Sequence, residues 1–245
     1  MKKIALLALA ASVLFGCAQK ESDSVKMITE ATFPPYEFLR GKEIAGIDVE
    51  ICRAIAQKLG KRFQCETVDF DSVIPAVISG KADLAAAGIT VTEDRKRNVD
   101  FSDPYVKTGI VVIYKKSNPF KDKEQLRGRK IGVQSGTTSE TFVTDVLKQE
   151  PDRSKSPAEA VAALKAGRVE FVIADIDPAK NCVKGEDALA LSDFITSEEY
   201  AIAIRKGQPE LLKAINETIA EIKADGRLVK WIKDFTEEAD RLKEK

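Results

Sequence analysis

Short β-branched runs alternate with stretches of helical apolar spacing along most of this 245-residue chain. That alternation restricts it to an α/β architecture, because the two periods demand different elements. Lys26 to Thr29 reads as a first strand, followed by a Pro-rich turn, Phe33-Pro34-Pro35-Tyr36. Asp48 is placed to cap a helix whose Val49, Ile51, Cys52, Ile55, Ala56 and Leu59 recur at helical spacing up to Gly60. Arg62 to Val68 is a strand, Asp71 is placed to cap the next helix, and Asp83 to Ala87 is a strand of small residues. The apolar run Gly109 to Tyr114 is long enough to cross from one lobe to another. A second unit then begins with the strand Lys130 to Val133 and a helix opening at Thr137-Thr138. Ser156-Pro157-Ala158-Glu159 is a capping box with proline at the first helical position. Phe171 to Ala174 is a buried strand ending at Asp175, and Tyr200 to Arg205 is a strand able to return the chain to the first lobe. Helices over Pro209 to Ala224 and Arg227 to Phe235 close the chain, with charged residues fraying the end.

The N-terminus carries a different signal. Lys2 and Lys3 precede the apolar segment Ile4 to Leu14, which at eleven residues is far short of the ~20 that span a bilayer. It reads as a removable export signal. Leu14-Phe15-Gly16-Cys17 resembles a lipobox, in which cleavage precedes a lipid-bearing cysteine. Residues 1–16 are therefore expected as a lipoprotein signal peptide and 17–25 as a polar tether lipidated at Cys17. The protein is expected outside the cytoplasm, in the periplasm or at the cell surface, anchored to a membrane by lipid.

Composition removes several function classes. The chain has no histidine, which excludes Ser-His and Cys-His nucleophile pairs and every imidazole zinc site. Its four cysteines include no CxxC pair, so neither a metal nor a cofactor is expected. Lysine and arginine together equal aspartate and glutamate at 39 each, which leaves no basic surplus for nucleic acid.

Several blocks, in order, resemble the extracellular solute-binding proteins of polar amino-acid ABC importers (family 3). They are Glu30-Ala31-Thr32-Phe33-Pro34-Pro35-Tyr36-Glu37-Phe38, Gly46-Ile47-Asp48-Val49-Glu50 and Asp69-Phe70-Asp71-Ser72-Val73-Ile74-Pro75-Ala76. Ala87-Gly88-Ile89-Thr90 through Lys96, Val99-Asp100-Phe101-Ser102-Asp103-Pro104-Tyr105, Ile131 to Thr138 and Ile173 to Ala179 complete the set. Tyr200-Ala201 departs from it, since relatives often have glycine after the tyrosine. The resemblance implies a type II periplasmic-binding-protein-like fold, two α/β lobes joined by two crossing hinge strands with a ligand cleft between them. Lobe 1 is expected over 26–110 and 199–245, and lobe 2 over 111–198.

An amino-acid ligand carries two charges that are costly to bury unpaired. Arg95 offers a planar fork to a carboxylate and matches the family's carboxylate-binding arginine; the alternative is a solvated helix residue. Thr137 and Thr138 present helix N–H groups to the same anion. Asp175 is implied as the ammonium partner, with capping of the next helix as the alternative. Gly88 lets backbone approach the ligand, and Thr90 adds a hydroxyl and an N–H. By family position Phe33 and Phe70 flank the ligand side chain, and Glu30 meets its polar or cationic end; otherwise these are core aromatics and a strand-end glutamate. Some relatives carry a disulfide where this chain has Ala56 and Phe63. Cys52 and Cys65 are displaced from those positions in the same direction, so the resemblance leaves open whether they are paired or separate.

The resulting expectation is a non-enzymatic, monomeric binding protein. It captures a free polar amino acid, cationic ahead of glutamine, and passes it to an ABC permease. A dehydratase-type enzyme on the same scaffold, with Glu30 or Asp177 as acid, and a ligand-sensing partner of a receptor are the competing readings.

Overall fold

The computed structural model describes residues 23–243, so Cys17 and the export segment lie outside the described residues. Two five-stranded sheets form the cores of two lobes. The first is ordered Arg62–Thr67, Ser24–Thr29, Leu84–Ala85, Ala203–Arg205, Val99–Phe101. Its first three strands are parallel, and Ala203–Arg205 runs antiparallel to both neighbours. The second is ordered Asp152–Ser154, Ile131–Gln134, Phe171–Asp175, Ile110–Lys115, Leu189–Leu191, with Ile110–Lys115 antiparallel to its two neighbours. Helices cover the sheets, which is why central strands such as Ile110–Lys115 are continuous apolar runs rather than alternating ones.

A two-stranded antiparallel ribbon, Val106–Thr108 against Glu198–Tyr200, joins the lobes. It makes the two crossings, and the apolar run Gly109 to Tyr114 does not. That run is spent inside the second sheet, where Val111, Val112 and Ile113 are fully buried. The expected return strand Tyr200 to Arg205 is likewise two pieces, Glu198–Tyr200 in the ribbon and Ala203–Arg205 in the first sheet.

In the first lobe the helix Ile47–Lys58 buries Ile47, Val49, Ile51, Cys52, Ile55 and Ala56. This face packs on the sheet and on the helices Pro209–Ala224 and Arg227–Lys243. Each fully buried large aliphatic side chain on this face contributes about 1.5–3 kcal/mol to the stability of the lobe. The C-terminal helix runs past Phe235 to Lys243 instead of fraying. Ala239 is buried, Lys184 pairs with Asp240 at 3.0 Å, and Lys243 Nζ donates to the Cys182 carbonyl at 2.6 Å. Cys52 and Cys65 are both free thiols. Cys65 lies opposite Met27 in the strand register and turns its Sγ to Met27 Sδ at 3.7 Å, leaving Cys52 in the helix core. Burial pushes both thiols up.

Asp48 is not a cap. Gly46 holds that position, and Asp48 sits in the first helical turn with its carboxylate fully buried. Its Oδ2 accepts from the Gly88 N–H at 2.9 Å and from the Tyr105 hydroxyl at 2.8 Å. Glu37 is equally buried beside it, and Asp48 Oδ1 and both Glu37 oxygens have no donor among the described residues. A proton on Glu37, donated to Asp48, resolves this arrangement of acceptors. Burial, and then the Asp48 charge, raise the Glu37 carboxyl well above its ordinary range, and burial raises Asp48 to about 6.

The folded chain therefore holds protons that the unfolded chain releases near pH ~4–4.5. Stability falls as pH rises from the unfolded values through the folded ones. Glu37→Gln supplies a non-titrating N–H donor to Asp48. Its unfolding free energy, measured by chemical denaturation at pH 5 and pH 8, is expected to change less between the two than that of the parent. An equal pH dependence in both proteins would show that the pair carries no extra proton.

Candidate functional site

The site is built where loops from the two lobes meet beside the ribbon. From the first lobe comes the segment after Leu84–Ala85. Gly88 there has φ +54°, and a Cβ would lie 2.6 Å from the Phe33 ring, so glycine is required both for the turn and for the close approach. The Asp48 carboxylate holds its N–H. Thr90 follows, bridged to Tyr200 of the ribbon. Thr92 caps the short helix Glu93–Lys96, which carries Arg95.

Arg95 reaches across the cleft. Its Nη1 donates to the Thr90 carbonyl at 2.8 Å and its Nη2 to the Gly136 carbonyl of the second lobe at 3.0 Å. The guanidinium carbon stands 5.6 Å from the Phe70 ring centroid, a cation–π distance. Desolvation lowers its pKa somewhat, against the charges of Asp175 and Glu198, so it stays cationic. It is held in place by both lobes rather than solvated on its helix.

From the second lobe, Thr137 caps the helix that begins at Thr138, accepting from the Glu140 N–H and donating to the Gln134 carbonyl at 2.7 Å. Gly136 packs so tightly against Asp71 of the first lobe that a Cβ would sit 3.0 Å from it. Asp175 ends the strand Phe171–Asp175 at the N-cap of the helix Ile176–Val183, yet its side chain makes no capping bond. Its Oδ1 accepts instead from the Tyr200 hydroxyl at 2.6 Å. Burial raises Asp175 to about 7, with the neighbouring Glu198 charge adding to the rise and the Tyr200 hydrogen bond and Arg95 opposing it.

Phe33, Phe70, Gly88, Thr90, Arg95, Thr137, Thr138 and Asp175 together line one cavity of about 10 Å³, room for about one water. Phe33 is core and wall at once: it is buried, it stacks with Tyr36 and Tyr200, and it faces the cavity. Glu30 is the expected site residue that does not line the cavity. It is buried at the lobe contact near Gln134, its Oε1 accepts from the Thr32 hydroxyl, and its Oε2 has no hydrogen-bond partner among the described residues. Desolvation raises its pKa. A wider apolar groove of about 700 Å³ lies elsewhere, between Leu39, the helix Pro157–Lys165 and Leu242, and contains none of these residues.

Two contributors escaped the sequence reading. Tyr36 donates its hydroxyl across the lobes to Asp177 Oδ2 at 2.8 Å. Glu198 accepts from the Thr90 hydroxyl at 2.7 Å and from the Thr138 hydroxyl at 3.0 Å. Nothing in a pair of glutamates before Tyr200 marks one of them as facing the cleft except strand alternation, which sets successive side chains on opposite faces.

Known proteins resemble this chain in sequence and in fold. The ABC transporter arginine-binding protein 1 of Escherichia coli K12 is 32% identical over 237 residues, covering 92% of this chain and 95% of its own. The substrate-binding protein AbpA of Streptococcus pneumoniae, solved with L-arginine, superposes with a TM-score of 0.83 at 32% identity, covering 89% and 96% of the two chains. An ancestral arginine-binding protein, 40% identical, has been solved with arginine (TM-score 0.81, coverage 87% and 98%) and with glutamine (TM-score 0.80, coverage 87% and 97%). These neighbours share the two-lobed type II periplasmic-binding-protein fold. With the family model of bacterial extracellular solute-binding proteins, family 3, matching residues 25–238, the chain belongs to that family.

Proposed function

We propose that this protein binds a cationic amino acid, arginine foremost, between its lobes outside the cytoplasm and delivers it to an ABC permease. The observation that carries the reading is the convergence of Arg95, Thr90, Thr137, Thr138 and Asp175 from both lobes on one buried cavity. In this reading the ligand carboxylate meets the Arg95 fork, the Thr90 group and the helix N-terminus at Thr137-Thr138, and the ammonium meets Asp175. The aromatic faces of Phe33 and Phe70 sandwich the side chain.

The charge balance favours a cation. Arg95 is faced by the Asp175 and Glu198 carboxylates, and Glu30 lies buried with one oxygen unpartnered. A ligand of net charge +1 compensates this acidic surplus, and a guanidinium supplies the donor that Glu30 Oε2 lacks. The two relatives named above are described as binding arginine, and the ancestral protein was also solved with glutamine, which keeps a neutral ligand as the competing reading.

The cavity is far smaller than the ~300 Å³ or more of ordinary ligand sites, so entry requires the lobes to part about the ribbon Val106–Thr108 and Glu198–Tyr200 and to reclose on the ligand. The clamp suits binding without reaction. Asp177, one candidate acid for a dehydratase, is already engaged by the Tyr36 hydroxyl and pairs with Lys180 at 3.4 Å. Among the described residues no helix is long and apolar enough to cross a membrane. The membrane attachment we propose is a lipid on Cys17, carried by the tether expected over 17–25, whose last two residues, Ser24 and Val25, already belong to the first strand.

Three outcomes test this reading. Arg95→Ala leaves the ligand carboxylate unpaired at a cost of at least ~3 kcal/mol, so calorimetry is expected to show more than a hundredfold loss of affinity. Retention within a few-fold removes Arg95 from the site. Glu30→Gln is expected to weaken arginine by ~2 kcal/mol while sparing glutamine, and tight glutamine binding by the parent with no arginine heat would end the cationic reading. Cys17→Ser is expected to leave the protein unprocessed or released; a processed mutant that still fractionates with membranes would exclude lipid anchoring.

A further inference from the structure

Glu198 stands on the return strand of the ribbon, and a single carboxylate oxygen, Oε2, collects the hydroxyls of Thr90 from the first lobe and Thr138 from the second. Both threonines line the buried cavity; Glu198 stands on their outer side, where it lines an open polar pocket of about 530 Å³. A threonine hydroxyl has one proton to donate. While Thr90 and Thr138 donate to Glu198, neither hydroxyl is available to a ligand carboxylate.

We infer that Glu198 is an internal stand-in for the ligand's α-carboxylate: it holds the lobes together by occupying both hydroxyl donors and is displaced when an amino acid binds. The inference rests on the reading that places the carboxylate at Arg95, Thr90 and Thr138. Glu198 has the chemistry the role needs, a carboxylate on a flexible stem anchored at the hinge. Among the described residues its other oxygen is held only by the Thr196 hydroxyl at 3.3 Å, close to the upper limit for a hydrogen bond. Displacement thus breaks the two cross-cleft bonds and little else. The negative charge of Glu198 also lies close enough to Arg95 and Asp175 to act on both, so its withdrawal leaves Arg95 to the incoming anion. Every α-amino acid has the same carboxylate, so the competition affects all ligands alike and sets affinity without setting specificity.

The test uses Glu198→Ala and Glu198→Gln in the chain from residue 18 onward. Small-angle X-ray scattering without ligand is expected to show Glu198→Ala more open than the parent, with a larger radius of gyration. Glu198→Gln, which keeps an acceptor but loses the charge, is expected to fall between them. Calorimetry with L-arginine and with L-glutamine is expected to show Glu198→Ala binding each at least threefold tighter, by a similar factor. A variant that melts like the parent but is no more open, or binds neither ligand more tightly, overturns the stand-in role. Selective weakening of arginine would instead mark Glu198 as a contact to the ligand's positive end. Failure of the carboxylate site itself would show separately, as undiminished binding by Arg95→Ala.

Discussion

A guanidinium taken out of water between two lobes must be met by acceptors from both, and the cleft is organised around meeting that need at Arg95. Its two nitrogens bind a carbonyl on each side of the cleft, its face lies over Phe70, and the carboxylates of Asp175 and Glu198 stand within its field. Each of those partners is fixed by something else. Thr90 is bridged to the hinge ribbon, Gly136 is packed on Asp71, and Asp175 is held by the Tyr200 hydroxyl. The two lobes are thus coupled through one cation, and any anion that enters must exchange with the acceptors already there.

Below that surface the first lobe carries a second polar arrangement, with no cation beside it among the described residues. Glu37 and Asp48 lie fully buried side by side, and Asp48 spends one oxygen on the Gly88 N–H and the Tyr105 hydroxyl. Two buried carboxyls are tolerable only if a proton is shared, because neither Coulomb repulsion nor desolvation allows both to ionise. What the arrangement secures is the orientation of the Gly88 turn, whose glycine already faces the Phe33 ring. The floor of the cleft is therefore held by hydrogen bonds to a backbone amide rather than by apolar packing alone, which suits a turn that must present polar groups on its other side.

The ribbon between the lobes carries more than connectivity. Tyr200 stacks edge-on with Tyr36 at 5.1 Å and hydrogen-bonds Asp175, while two residues earlier Glu198 ties Thr90 to Thr138. Side chains two apart on a strand share a face, so the short segment Glu198–Tyr200 places a carboxylate and a phenol toward the same cleft. Under the proposed function, the strand that bends on closure is then also one that touches the groups a ligand would engage.

Most central strands and the longer helices, the two lobes, and eight residues of one cavity were legible in the chain alone, because apolar period, caps and glycine positions are local properties and the motif blocks resemble those of a known family; the short sheet strands Val99–Phe101, Asp152–Ser154 and Leu189–Leu191 were not. Ser156 caps its helix as its motif implies, and Gly88 is placed in a left-handed turn. What local pattern could not decide was which of two satisfiable roles a residue takes. Asp48 had the chemistry of a cap, yet the buried Gly88 amide and Tyr105 claimed it. Cys65 had the face to meet Cys52, yet strand register set it against Met27. The apolar run after Gly109 could have crossed between the lobes, but pairing on both edges placed it in the second sheet. No local pattern singled out Glu198, which enters the site only because the fold brings Thr90, 108 residues away, within hydrogen-bond reach. In each case the energy that decides comes from partners distant in sequence. Residue type and spacing therefore determine the elements and the available chemistry, whereas only the tertiary structure determines which donor each buried acceptor meets.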